Sequence, residues 1–494
     1  MFQFSHSDNG SAAKRLSVLA GITLAAALMT AQAADPTYAV GARTVVIADK
    51  GAGGLTQFPE TPLVVLQTTP EYKVLIATGL RTVLAKGPSM DKLVATGVAL
   101  APTGGKGSFD EVSAHISGVW KDPASSDMYA MFNANDSEGV PRIPGPGIGF
   151  RGRYFTTCVA KSTDGGATFK KIGPVLSIPK DSSGNPLQGD AYASVVMSKD
   201  KKYLYAYYGD MFNAMRTQGV QTCLARATVA SNGLPGSWKK YYNGDFVTPG
   251  LSVLDSNYMG AETTPVVAPP GLNPADADYP HVSYSEKTGM YIMVYAVNDF
   301  SELHDVPAPG PDTAKAVASG IYISYSVDGI NWTGQHQLNS YITIDYPGRE
   351  VALHPTFVLN EATSSPTAVH GTLYYGYNAN MWFGTPSTQY LASQSVDVTG
   401  IPSDFFSSAI APRAAQNKVG EYQLRQSGLG QWIVNFKTND VKSLSLVGIN
   451  GAAAGKVEKI GVSSFRIQTA NASGPVFMHG VTTGSSFTKS LMLR

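Results

Sequence analysis

One pattern recurs along most of the chain: an apolar run, a polar turn, a second run rich in Tyr, and then Asn or Asp. The clearest copies are HISGVWKDPASSDMYAMFNAND from His115, DAYASVVMSKDKKYLYAYYGD from Asp190 and DYPHVSYSEKTGMYIMVYAVND from Asp278. Looser copies start at Glu350 and at Thr61. Each copy predicts a β-hairpin, because its runs are β-branched and aromatic and its turns are Asp-Pro, Lys-Asp-Lys-Lys or Lys-Thr-Gly. After three of them comes a further pair of strands, beginning at Thr156, Gln221 and Ile321. Four antiparallel strands repeated every ~75 residues are the footprint of a propeller blade, with tandem four-stranded sandwiches as the alternative. Entries near residues 61, 113, 190, 278 and 350 predict an all-β chain with a five-bladed β-propeller. The segment from 405 to 494 lacks the hairpin signature and carries QWIVNF, SLSLVGI and SSFRIQT, which predict a small C-terminal β-sandwich-like region or the completion of the last blade.

Composition fits many short strands joined by tight turns: 51 Gly, 30 Pro and 43% hydrophobic residues in 494. A net charge of +1 with 15% charged residues gives no basic field for a polyanion, so nucleic acid is not an expected partner. The 2 cysteines cannot make a disulfide scaffold, and neither a CxxC pair nor an HExxH string marks a zinc site. Cys158 and Cys223 occupy matching places in neighbouring repeats, roughly a sheet spacing of ~10 Å apart, beyond disulfide reach. Two buried thiols are expected.

Residues 1–33 predict a signal peptide. Lys14 and Arg15 precede an apolar run from Leu16 to Met29, and Ala31-Gln32-Ala33 offers the small residues of a cleavage site. The run is short for a membrane span, and no later stretch approaches ~20 apolar residues. Domains are therefore expected at 34–404 (propeller) and 405–494 (C-terminal β-rich), in a periplasmic or secreted monomer.

Two strand-turn-strand boxes resemble known motifs. STDGGATF, from Ser162 to Phe169, resembles the Asp box of sialidases, and SVDGINW, from Ser326 to Trp332, resembles the shorter form seen in five-bladed glycoside hydrolases such as arabinanases, β-xylosidases and invertases. In SNGLPGSW, from Ser231, Asn replaces the Asp. Such boxes specify fold rather than chemistry, since the Asp closes a turn, the Gly takes positive φ and the ring packs between blades.

Candidate chemistry follows from strand direction. The start of each inner strand and the end of its partner share one face, and acidic residues stand ahead of the inner strand in every copy: Glu60, Asp110 with Glu111, Asp190, Asp278 and Glu350. Glycoside hydrolysis needs an acid and a base or nucleophile on opposite faces of a sugar. The resemblance implies the base at Asp110 or Glu111, an auxiliary carboxylate at Asp190 and the acid at Asp278, although the usual Glu-Gly-Pro string reads Asp278-Tyr279-Pro280 here and Glu350 competes. A turn-capping role is the alternative for each carboxylate. His115, His281 and His354 enter the same strands, and Asp136, Asp210 and Asp299 end their partners. The loop from Ser137 to Phe155 carries Arg142, and Trp382 follows Asn380; arginines hold carboxylates and aromatic faces stack on sugars. No cofactor is expected, with a channel-bound cation such as calcium left open and the metal site unknown. The expectation is a secreted glycoside hydrolase acting on a polysaccharide or oligosaccharide, with arabinose or furanoside units favoured by the resemblance. A non-catalytic carbohydrate-binding propeller and a polysaccharide lyase are the alternatives.

Overall fold

The computed structural model describes residues 35–48, 52–55, 59–137, 153–179, 187–211, 220–242, 244–251, 263, 265–267, 277–297, 320–340, 351–378 and 389–402, with strands between 422 and 493. The described residues are nearly all β: apart from short 3-10 turns they contain no helix, and so none long and apolar enough to cross a membrane. The chain divides into two compact units, Met1–Phe406 and Ser407–Arg494. The expected signal peptide lies outside the described residues.

In the larger unit, sheet I runs in chain order through Val64–Gln67, Tyr72–Thr78, Arg81–Gly87 and Val94–Leu100. Sheets II and III are the halves of a nine-stranded sheet. Sheet II holds Ser113–Lys121, Met128–Asp136, Arg153–Ser162 and Lys170–Leu176; sheet III holds Leu187–Met197, Tyr203–Asp210, Gln221–Thr228, Lys239–Tyr242 and Asp245–Pro249. A short parallel pairing, Leu187 to Gly189 with Arg153 to Phe155, joins the halves. Sheet IV holds Ala277–Ser285, Met290–Val297, Gly320–Ser326 and Thr333–Ser340. Sheet V holds Val351–Leu359, Ala368–Asn378 and Gln389–Thr399, and the N-terminal strands Thr37–Val40 and Thr44–Ile47 both pair with its last strand.

The second strand of each repeat explains why Tyr-rich apolar runs recur. Met290–Val297 (MYIMVYAV) is buried at every position, because both faces of its sheet are covered by neighbouring sheets. A strand buried on two sides reads as a continuous apolar run instead of an alternation. Between sheets II and III, Trp120, Met131 and Val159 meet Val195, Leu204, Tyr208, Cys223 and Trp238. Both cysteines are free and fully buried.

The first strands of sheets II to V, and the residues that lead into the first strand of sheet I, are joined in a cycle of hydrogen bonds. Thr61 Oγ1 donates to Ile116 O (2.8 Å), Ser117 Oγ to Ala193 O (2.6 Å), Val282 N to Ser194 Oγ (2.9 Å), Phe357 N to His281 Nδ1 (3.4 Å) and Leu63 N to Thr356 Oγ1 (2.7 Å). The STDGGATF and SVDGINW segments close as tight turns: Asp164 Oδ1 accepts the Thr168 amide (3.0 Å), Asp328 Oδ1 accepts those of Ile330 and Asn331 (2.8 Å each), and Gly166 and Gly329 take φ of 89° and 75°. Phe169 is buried against sheets I and II, and the Trp332 ring meets Tyr207 edge-on at 5.4 Å.

In the smaller unit, Tyr422–Gly428, Gln431–Phe436, Ser464–Gln468 and Lys456–Lys459 form one antiparallel sheet, and Val441–Gly448, Gly474–Thr482 and Ser486–Leu493 another.

Candidate functional site at the head of the first strands

Two residues ahead of the members of the hydrogen-bonded cycle, the first strands of sheets II to V carry His115, Tyr192, Tyr279 and His354. Glu60 holds the same place in sheet I: it lies three residues before the amide of Leu63, as Tyr279 and His354 lie three before the amides of Val282 and Phe357. One polar side chain per sheet is thus delivered to a common ring.

Local backbone geometry aims these residues. The ladders are irregular between Ala191 and Ser194, Asp278 and His281, and Leu353 and Thr356, and inside these bulges Tyr192, Tyr279 and His354 take φ of 55°, 54° and 56°. A left-handed conformation costs a bulky residue about 1–3 kcal/mol and persists where the surroundings impose it, a common property of functional sites. A bulge also re-aims a side chain from the sheet face toward a site. The result is an aromatic cluster: Tyr279 and His354 centroids lie 4.1 Å apart, Tyr192 and Tyr279 4.6 Å, Tyr192 and His354 5.5 Å, and Phe155 lies 5.7 Å from Tyr192.

Electrostatics of this ring follow from desolvation. Burial pushes the Glu60 carboxyl up to about 7. Burial, then the charges of Asp278 and Glu60, push the Tyr192 hydroxyl well up, while a hydrogen bond with Tyr279 and then Arg153 pull it down. Two carboxyls from different sheets therefore act on one phenol. Burial pushes His115 down to about 4 and His354 to about 3, the latter helped by His115, so both are neutral at pH 7. His115 Nε2 lies 2.8 Å from Gly79 O and carries the proton, because a carbonyl can only accept. His354 Nδ1 is buried without a hydrogen-bond partner among the described residues. Asp278 is 1% exposed; its Oδ1 accepts the Tyr279 amide (2.7 Å) and packs over Gly209.

The entry carboxylates of sheets II and III are held differently. Asp110 is fully buried, accepts the Thr103 amide (3.0 Å) and forms an ion pair with Lys171. Asp190 is fully buried against Lys240, whose Nζ lies 2.6 Å from Oδ2 and 3.0 Å from Ser177 O. Burial pushes the Asp190 carboxyl up to about 7 against the pull of that ammonium, with the Asp210 charge adding to the rise. Each of these aspartates is thus taken by a lysine from the fourth strand of its own sheet. Glu111 Oε2 lies 3.4 Å from the Gly107 amide in a turn. Asp136 and Asp210 are buried at the ends of their second strands, and Thr263 Oγ1 donates to Asp210 Oδ2 (3.1 Å). His281 belongs to the cycle, one step below the ring. Arg142, Asp299, Glu350 and Trp382 lie outside the described residues. Among the described residues no three His, Cys, Asp or Glu side chains are grouped to hold a metal ion.

Tyr192, Tyr279, Lys171 and Lys240 had no place in the sequence-based site. A signal for two of the bulges was present: Tyr279-Pro280 and His354-Pro355 set a proline inside a strand, which is found only on edge strands or at bulges.

No family model matches the sequence, and no curated protein matches it. Solved structures to which the chain is similar include a thermostable family-43 glycoside hydrolase, with 12% identity over 78% of this chain and 96% of that one and a TM-score of 0.35. A family 117 glycoside hydrolase of the marine bacterium Zobellia galactanivorans has 13% identity over 77% and 99%, with a TM-score of 0.40. An endo-arabinase from Bacteroides thetaiotaomicron has 11% identity over 71% and 96%, with a TM-score of 0.38. Likeness of this degree assigns neither an activity nor a residue.

Proposed function

We propose that the larger unit is a five-bladed β-propeller and that the protein is an exported glycoside hydrolase acting on a polysaccharide or oligosaccharide. In this reading Glu60 is the general acid and Asp278 the base or nucleophile. The observation that carries it is that both carboxyls, from different sheets, act on the same buried tyrosine. A carboxyl held near 7 keeps its proton at neutral pH and can pass it to the leaving glycosidic oxygen. Asp278 then deprotonates the attacking water, or attacks the anomeric carbon and is released by water in a second step. Tyr192 and Tyr279 offer ring faces to the sugar. Asp110 and Asp190, tied to lysines, stiffen the frame around this pair. The cycle of hydrogen bonds linking the five sheets supports the propeller, the two C-terminal sheets support a small β-sandwich, and the N-terminal 33 residues support export. Arabinose-containing or other furanoside glycans remain the favoured substrates through the SVDGINW resemblance.

A polysaccharide lyase is the second reading, because Tyr192, His354 and Arg153 supply its residue types. It needs a tyrosine that ionises readily, and the upward push on Tyr192 disfavours that. The test is release of reducing sugar from a polysaccharide panel by the wild type, Glu60→Gln and Asp278→Asn, with absorbance at 235 nm recorded in parallel. Hydrolysis lost in both variants supports the proposal; an unsaturated product identifies a lyase; retention of a glycan without cleavage identifies a binding protein.

A further inference from the structure

Beneath the ring, on the side toward the C-terminal ends of the first strands, lies a second space. It is a cavity of about 320 Å³ to which the first strands of all five sheets contribute. The hydrogen-bonded cycle separates it from Glu60, Tyr192 and His354, so it is not part of the candidate catalytic site.

Its chemistry has two tiers. Part of the wall is aliphatic, with Val119, Val195 and Val358 among its residues, part is uncharged polar, and no charged side chain lines the space. At the cycle, polar groups face inward. Ser194 Oγ and Thr356 Oγ1 each accept a strand amide and keep a hydroxyl proton to donate. His281 Nδ1 accepts the Phe357 amide, which leaves the proton of the neutral ring on Nε2. Ser283 Oγ, also in the lining, is buried without a partner among the described residues. Donors and aliphatic walls therefore share a space whose volume falls at the low end of small-ligand pockets, roughly 300–1,000 Å³.

We propose that this cavity binds a small uncharged organic molecule with one acceptor oxygen on an apolar body, such as a ketone or an ester. The donors at the cycle fix the oxygen and the valines cover the rest. A carboxylate is disfavoured, since burying an anion without a cation beside it is costly.

Isothermal titration calorimetry with acetophenone tests the assignment, with ethylbenzene (the same carbon skeleton without the oxygen) and benzoate (an anion) as controls. Acetophenone should bind one to one, ethylbenzene roughly five- to ten-fold more weakly for the lost hydrogen bond, and benzoate without measurable heat. Val358→Phe, at a partly exposed position outside the packed clusters, fills the space and should abolish binding. His281→Phe should weaken acetophenone roughly five-fold or more and leave ethylbenzene unchanged. Thermal denaturation shows whether each variant is folded. Absence of saturable acetophenone binding by the folded wild type, or binding that survives Val358→Phe, overturns the assignment and makes the space a water-filled channel.

Discussion

Lys240 Nζ and Asp190 Oδ2 lie 2.6 Å apart with both side chains fully buried. The pair links the fourth strand of sheet III to the head of its first strand, two residues before Tyr192. Well above pH 7, where the Asp190 carboxyl is ionised, removing its lysine strands a charge in a dry interior, which costs about 3–5 kcal/mol. Lys240→Met should therefore lower stability by that amount in chemical denaturation at such a pH, and adding Asp190→Leu should recover much of it. Unchanged stability of Lys240→Met would show that the pair is solvated.

His115 and His354 set an acid limit. Their folded pKa values, about 4 and about 3, lie below the unfolded value near 6.5, so between these limits the unfolded chain binds more protons. The stability they leave intact above pH 6.5 is lost as pH falls, by roughly 2–3 kcal/mol per histidine between pH 7 and 4.5. Glu60 and Asp190 act in the opposite sense, because their raised values reduce stability as pH climbs from about 4 to about 7. The contributions separate by variant. His354→Asn, which tolerates positive φ, should flatten the acid side of a plot of melting temperature against pH, whereas Glu60→Gln should flatten the neutral side.

The strand pattern was legible in the sequence because it is local: Tyr-rich runs such as YLYAYYGD and MYIMVYAV need two covered faces whatever the rest of the chain does. The positions of the entry acids were legible for the same reason. Where their side chains turn was not. Asp110 and Asp278 look alike before their strands, yet Asp110 is claimed by Lys171, 61 residues later, and Asp278 lies over Gly209, 69 residues earlier. Such partners depend on packing between sheets, which no spacing within one hairpin records. The cluster of Tyr192, Tyr279 and His354 depends on bulges, and only the two proline-containing strands announce theirs.

If Glu60 is the acid, activity should decline as pH rises through about 7, where its carboxyl loses the proton. Glu60→Gln should remove that alkaline limb and lower kcat by about 10²–10⁴ on a natural glycan. The loss should shrink on an aryl glycoside whose phenol leaves without protonation. A limb near pH 7 that persists in Glu60→Gln assigns the acid elsewhere.

The N-terminal strands complete sheet V. Residues Thr37 to Val40 pair with Thr399 to Val396, Ile47 is 6% exposed in the core beside Leu391, and the Tyr38 ring stacks on His336 of sheet IV at 3.6 Å. Deleting residues 35–47 exposes an edge strand and should cost roughly 3 kcal/mol or more from lost burial and ladder bonds. A synthetic peptide of residues 35–48 should raise the melting temperature of the shortened protein, and no rise would place the stabilisation elsewhere.

Gly209 gives the sharpest test of Asp278. A Cβ at Gly209 would stand 2.3 Å from Asp278 Oδ1, too close for any real contact, and that oxygen already accepts the Tyr279 amide. The carboxyl must turn away, while the strand around Gly209 pairs as before. Gly209→Ala should therefore lower hydrolysis by roughly 100-fold through misplacement of a reacting group. Its melting temperature should stay within a few degrees of wild type, because the displaced atoms are side-chain ends, the Asp278 carboxyl and a Val220 methyl 3.1 Å away. Full activity in Gly209→Ala, with a crystal structure showing Asp278 moved, removes Asp278 from the chemistry.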